Sequence, residues 1–207
     1  TGNVASQGGG VYNDAIAAAG VAIIVSSDIR GNTAQLWGGG IDNFSTMSIL
    51  YSSITNNTVG SGPLMLIGDG GGIHNSGFST LTVKHSTLSG NTAFRAGGGL
   101  FNGSRAEFTH VTLSNNRAAT GVPARADNLR YTLGNEVFID PDVSQNDATV
   151  FQNSIIAGVV SPASAVGNCF SGIFSSPINT VFQFEKSVPF IATSKGYNID
   201  NGNTCKL

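Results

Sequence analysis

Charge is scarce in this chain. Only 11% of its 207 residues are Asp, Glu, Lys or Arg, against about a quarter in an ordinary globular domain. The formal net charge is −2 and no cluster of Lys and Arg stands out, so the surface that would neutralise phosphates is missing and nucleic-acid binding is not expected. Disorder is excluded from the other side. A hydrophobic fraction of 40% can build a core, whereas disordered chains combine low hydrophobicity with high charge. No apolar run approaches the roughly 18 residues of a membrane-spanning helix, and the longest, Ala15 to Val25, is interrupted by Gly20. Cysteine is limited to Cys169 and Cys205, with no CxxC or metal-ligand spacing. Two readings of the pair stay open: a disulfide clipping the C-terminal end, which implies an oxidising compartment, or two unpaired buried thiols. Also lacking are GxSxG, HExxH and P-loop motifs, and the strand-then-helix setting of a dinucleotide fingerprint. The chain opens at Thr1 with neither Met nor a leader peptide, and reads as processed or excised.

What is abundant is glycine, and it is arranged. GGGVYN (8–13), GGGIDN (38–43), GGGIHN (70–75) and GGGLFN (97–102) repeat one phrase. A second phrase follows each: an aliphatic residue, two others, then Asn, as Ile29–Asn32, Ile54–Asn57, Leu88–Asn91 and Leu113–Asn116, with Asn3 in the fragment TGN taking the same place. The spacings from Asn3 onward are 29, 25, 34 and 25, in the range of solenoid repeats. Between the phrases lie short alternating runs, AIIV (22–25), MSIL (47–50), LTVK (81–84) and EFT (107–109), whose period of two is a strand signal. Helical periodicity is absent. Each unit therefore reads as three short strands: the glycine strand, the alternating strand and the strand that ends in Asn.

Both repeated residues have a physical role in such a stack. Glycine reaches backbone regions closed to other residues and lets neighbouring backbones approach. A buried amide repeated in every coil bonds to the amides above and below, avoiding the roughly 1–3 kcal/mol of an unpartnered buried polar group. Asn3, Asn32, Asn57, Asn91 and Asn116 are expected to form that ladder. Short parallel strands stacked in this way make a parallel β-helix. A fifth, degenerate coil is read in VFQNSIIAG (150–158), with Val150 and Ile155 in the apolar places and Gly158 in place of the Asn. Residues 117–147 read as an insertion loop plus one irregular strand, VFI (137–139); smaller loops fall at 14–20 and 60–69.

The pairing of GGG-aliphatic-x-Asn with aliphatic-x-x-Asn resembles the bacterial right-handed parallel β-helix repeat proteins, related to the polymorphic outer-membrane protein repeats that carry GGA plus an aliphatic residue and FxxN. Here Gly stands for the Ala, and Ile or Leu for the Phe. The resemblance spans residues 1–116 and, more faintly, 148–158. GNC (167–169) and SKGYNIDNGNTC (194–205) are similar to the Cys-containing segments that close such helices, which implies a Cys169–Cys205 disulfide. It also implies a secreted or surface-exposed, adhesin-like protein. TGN at 1–3 reads as the last strand of a preceding coil, and an open β edge there is an association site unless blocked.

Parallel β-helices also carry polysaccharide lyases and hydrolases, whose grooves use carboxylate groups, with Ca²⁺ and a base in the lyases. The outward place of the glycine strand holds Tyr12, Asp42, His74 and Phe101 on successive coils. Strands stack about 4.8 Å apart, so Asp42 and His74 can pair, with Tyr12 and Phe101 as flanks for a sugar ring. The plainer reading is an outer face with an Asp–His contact. His85 and His110 share a column with Tyr51 and are expected to stack, and no third metal ligand is seen beside them. Asp127, Asp140, Asp142 and Asp147 lie in the insertion, where oxygen ligands suit Ca²⁺ but solvated acids are the ordinary case. An ice-binding array would need a regular Thr column; Thr87 and Thr112 align, while Asp28 and Ser53 break it. The sequons NFS (43–45), NNT (56–58) and NGS (102–104) are present, with Asn43 and Asn102 also suited to turn or ladder places.

The expectation is an all-β chain: one right-handed parallel β-helix of about five to six coils over 1–158, and a closing segment over 159–207. The expected function is that of an extracellular structural or adhesin-like module, non-enzymatic, contacting other chains or surface glycans, with coil ends open to assembly and with no cofactor or metal. The alternative is a carbohydrate-active enzyme centred on Asp42 and His74.

Overall fold

A computed structural model describes residues 1–14, 20–60, 68–118, 136–139 and 149–157, and the backbone of strands at 169–175, 183–188, 192–194 and 199–200. Its described residues form a parallel β-helix of short strands in four stacked sheets. The glycine sheet holds Val11–Asn13, Ile41–Asn43, Ile73–Asn75, Leu100–Asn102, Val137–Ile139 and Cys169–Ser175, all parallel, with Gln183–Val188 added antiparallel at its far edge. A second sheet holds Val21–Val25, Thr46–Leu50, Thr80–Lys84, Arg105–Thr109, Thr149–Gln152 and Ala192–Ser194. A third holds Asp28–Arg30, Ser53–Thr55, Thr87–Ser89, Thr112–Ser114, Ile155–Ala157 and Ile199–Asp200. The fourth, absent from the expectation of three strands per coil, holds Val4–Gln7, Thr33–Trp37, Thr58–Val59, Thr92–Ala93 and Arg117–Ala118. Two-residue strands such as Thr92–Ala93 show no alternation to read.

Three corners of the coil are each made by one residue with positive φ. The first Gly of every GGG run makes one, at Gly8, Gly38, Gly70 and Gly97. Gly2, Gly31, Asn56, Gly90 and Asn115 make the second, just before each ladder Asn. Ser26, Tyr51, His85, His110 and Asn153 make the third. Only Gly, and less often Asn or Asp, visits this region cheaply, so the third corner is the costly one.

Inside, one residue type stacks on its like. Ile41, Ile73, Leu100 and Val137 are in register, as are Ile54, Leu88, Leu113 and Ile156, and all are fully buried. Phe108 stacks on Phe151 at 5.0 Å, and the small Ala106 two residues away leaves room for the larger ring. The register corrects the reading of the fifth coil. Phe151 pairs with Phe108 and Ile156 with Leu113, so the inward residues are Phe151 and Ile156 rather than Val150 and Ile155. Ile155 points outward and is 40% exposed. A slip of one residue exchanges the two faces of a strand, and it moves the ladder place from Gly158 to Val159, both outside the described residues. Val137–Ile139 is a regular rung paired with Leu100–Asn102. Cys205, the side chain of Cys169, and Asp127, Asp140, Asp142 and Asp147 lie outside the described residues.

The ladder is present in full. Each of Asn3, Asn32, Asn57 and Asn91 donates both its backbone N–H and its Nδ2 to the Oδ1 of the next, at 3.1, 3.0, 3.0 and 2.8–2.9 Å. A second ladder closes the glycine phrase. Asn13, Asn43 and Asn75 each donate Nδ2 to the next Oδ1 at 2.7 Å, and Asn102 donates to the Thr149 hydroxyl at 2.8 Å. Asn43 and Asn102 are buried with their amides engaged, so of the sequons only Asn56, at an exposed corner, offers its side chain to solvent.

Candidate functional site

The outward column of the glycine sheet holds Tyr12, Asp42, His74, Phe101 and Phe138 in register. Its middle is closed. Asp42 is fully buried, and His74 and Phe101 are 4% and 5% exposed. The Nδ1 of His74 lies 2.7 Å from Asp42 Oδ1. Its ring is stacked between Trp37, 5.9 Å away and nearly parallel, and Phe101, 5.0 Å away and tilted, with Phe44 edge-on at 5.8 Å. Phe101 in turn stacks on Phe138 at 5.1 Å, so both of its faces are taken. Tyr12 stays at the surface, 47% exposed, and donates its hydroxyl to Asp14 Oδ2 at 3.2 Å. Desolvation, then the Asp14 and Asp42 carboxylates, push its phenol above the ordinary value.

The Asp–His pair can orient an imidazole, as an acid–base relay requires. Asp42 Oδ2 is buried without a hydrogen-bond partner. Asp69 and Arg95 form a second buried ion pair through both carboxylate oxygens. Asp69 bridges to Trp37 on one side and Ala96 on the other, which places this pair at the corner beside the glycine column. Among the described residues no three His, Cys, Asp or Glu side chains converge as metal ligands.

A third buried acid, Glu136, escaped the sequence reading. Val137 pairs with Leu100, so Glu136 stands where the other coils carry the third Gly of their run. At Gly40, Gly72 and Gly99 an added Cβ would meet the Nδ2 of Asn57, Asn91 and Asn116 at 2.9, 3.0 and 2.9 Å. The ladder amide of each coil thus occupies the space that glycine leaves. Among the described residues Asn116 is the last Asn of its column, and there Glu136 meets it with a carboxylate that accepts the Asn116 N–H and Nδ2 on its two oxygens. Burial pushes the Glu136 carboxyl up to about 7, although the Asn116 bonds pull it down. The signal was available in VFI (137–139), which aligned with LFN puts Glu136 in the glycine place.

This acid sets a pH dependence. Its folded value is raised above the unfolded one of 4.5, so the native state holds a proton that the unfolded chain has released. Its stabilising effect is full below pH 4.5 and is lost as pH rises through about 7. The difference is of order 3 kcal/mol. Glu136→Gln retains an acceptor for both Asn116 donors. Urea unfolding is expected to show the variant more stable by about 2 kcal/mol at about pH 8 and level with the parent near pH 4. Equal slopes of stability against pH in the two proteins would refute the assignment.

At the costly corner, Tyr51, His85 and His110 stack as expected, with centroids 5.0 and 4.8 Å apart and planes within 8°. Asn153 Nδ2 lies 3.1 Å from His110 Nε2 and closes that end. The structure thus joins Asp42 to His74 and separates them from Tyr12 by exposure. Compared with family models, curated proteins and solved structures, the chain matches none of them.

Proposed function

We propose that the chain is an extracellular, non-enzymatic structural or adhesin-like module of the bacterial kind its repeats resemble, presenting its outer sheets to surface glycans or to other chains. The observation that carries this reading is a set of registered hydroxyl columns on the outer face, with Asp28, Arg30 and Arg117 at their ends. Ser53, Thr87 and Thr112 form one outward column, Thr55, Ser89 and Ser114 a second, and Thr33, Thr58 and Thr92 a third. Uncharged hydroxyls repeated at the strand spacing of about 4.8 Å offer donors and acceptors to a polymer of hydroxyls. The buried acids are engaged inside the stack, Asp42 by His74, Asp69 by Arg95 and Glu136 by Asn116. Val4, Val21, Ile23 and Val25 are at least half exposed and add apolar surface to the outer sheets. The test is a glycan array with the native mass measured in parallel. Retention of one glycan class, or a stable assembly from the source, supports the reading; a monomer that binds nothing overturns it.

A second reading, a carbohydrate-active enzyme, is favoured by the Asp42–His74 pair and the unpartnered Asp42 Oδ2. It requires cleavage of an acidic polysaccharide that Asp42→Asn reduces at least about a hundredfold. Cleavage unchanged in that variant, or no cleavage by the parent, removes it.

A further inference from the structure

The ring column at the third corner is closed at one end and open at the other. Asn153 caps His110, while at the opposite end the place next to Tyr51 is taken by Ser26, which is small and exposed. Tyr51, the outermost ring, is 62% exposed. Rings follow one another at 5.0 and 4.8 Å down the stack, and the Ser26 coil has the same backbone turn, φ 48° against 50° at Tyr51. The fold therefore repeats the seat of a ring at Ser26 and leaves it empty of one.

Holding non-glycine residues at positive φ costs about 1–2 kcal/mol each. Tyr51, His85 and His110 bear that cost in succession. Ring stacking returns about 0.5–1.5 kcal/mol per pair, which compensates the inner rings but leaves the outer face of Tyr51 unmatched. That face is apolar and flat. Its surroundings are hydroxylic and electrically quiet: Ser26 and Ser27 lie on the same turn, Ser53 donates to Asp28 at 2.7 Å, and Asp28 is paired with Arg30 at 3.3 Å.

We propose that the space over Ser26, against the open face of Tyr51, is a subsite for a neutral pyranose ring. This inference rests on the glycan-binding reading above and names its site. A pyranose presents a face of C–H groups that packs on an aromatic ring at about 3.5–4 Å, and its equatorial hydroxyls meet the serines at the rim. A nucleotide would bring a phosphate to a place whose cation, Arg30, is already paired with Asp28.

The experiment titrates cellotriose, chitotriose and maltotriose into the intact chain and follows the Tyr51 ring resonances by NMR, assigned by their loss in Tyr51→Phe. The expected result is a saturable shift of those resonances with at least one of the three sugars. Tyr51→Ala weakens that binding about tenfold, the equivalent of one stacking contact. Ser26→Tyr, placed on a turn that already carries Tyr51 in the next coil, fills the seat and abolishes binding while thermal unfolding stays at or above the parent's. Sugar binding unchanged in both variants overturns the site while leaving the glycan-binding reading intact. A shift of Tyr51 produced by phenol and by none of the sugars overturns it in favour of an aromatic partner. Failure of the parent to bind any glycan, on the array or in solution, overturns both.

Discussion

Asn57→Ala is expected to destabilise the chain by about 4 kcal/mol, a large fraction of the whole stability of an ordinary domain. The side chain lost is fully buried and serves its neighbours on both sides. Its Oδ1 accepts from the backbone N–H and Nδ2 of Asn32, and its Nδ2 donates to Asn91 Oδ1 and to the Ile29 carbonyl, all at 2.9–3.0 Å. Alanine strands both Asn32 donors inside the stack, each at about 1–3 kcal/mol before relaxation, and removes the amide bond to the Ile29 oxygen. Asn57→Asp is expected to be no better, because a second acceptor then faces the Ile29 carbonyl. The preceding residue is the control. Asn56 is exposed and holds the corner at φ 52°, so Asn56→Gly is expected to change stability by less than about 0.5 kcal/mol. Urea midpoints at constant slope measure all three. A loss below about 1 kcal/mol for Asn57→Ala would mean that the ladder is not what holds the coils.

Gly71→Ala is expected to cost at least as much, about 4 kcal/mol or more and about 10 °C or more in Tm. The middle glycine of the run lies between backbones. A Cβ there would come within 2.5 Å of the Gly98 carbonyl oxygen and the Thr92 carbonyl carbon and within 2.6 Å of the Thr92 oxygen. None of these can swing aside as a side-chain tip would, so two coils must separate. Gly31→Ala is the contrast. Gly31 is at a corner with φ 62°, and the nearest atom to its added Cβ is 4.0 Å away, so only the backbone preference is lost, about 1–2 kcal/mol. Equal effects at the two positions would show that the glycine runs serve turning alone.

The coil architecture was legible because the residues that make it are repeated and rare. Asn32, Asn57, Asn91 and Asn116 fall after the same aliphatic residue in every unit, the mark of a stacked solenoid. The fourth sheet was not legible, since Ala34, Val59 and Ala93, which build its small separate core, follow the Asn too closely to show a period. The fifth coil was misread by one place because Val150 and Ile155 are as apolar as Phe151 and Ile156; composition cannot choose between adjacent aliphatic residues, and pairing with Phe108 and Leu113 does. At the candidate site, the Asp42–His74 contact followed from strand spacing. Its enclosure did not, because Trp37 and Phe44 lie outside the repeated phrase and bring their rings over His74 only through the corners. Glu136 was hidden by the lack of a GGG run in front of Val137.

The amide ladder has a direction as well as a length. From Asn3 to Asn91 each backbone N–H and one Nδ2 hydrogen point toward the next coil and each Oδ1 points back, while the second Nδ2 hydrogen of Asn57 and Asn91 returns to a carbonyl of the coil before. The amide dipoles therefore lie head to tail along the solenoid axis, as peptide dipoles do along a helix. Their positive end falls at Asn116, and the group that meets it is the carboxylate of Glu136. The second ladder runs the same way from Asn13 and reaches the Thr149 hydroxyl, so among the described residues the stack carries two parallel lines of polarity, one meeting a carboxylate and the other a hydroxyl. The Asn116 amide at that end favours the ionised form of Glu136 against the burial that raises its carboxyl, and because such a pull fades within about one turn, the acidity of this buried acid is set by its nearest rung and not by the number of coils.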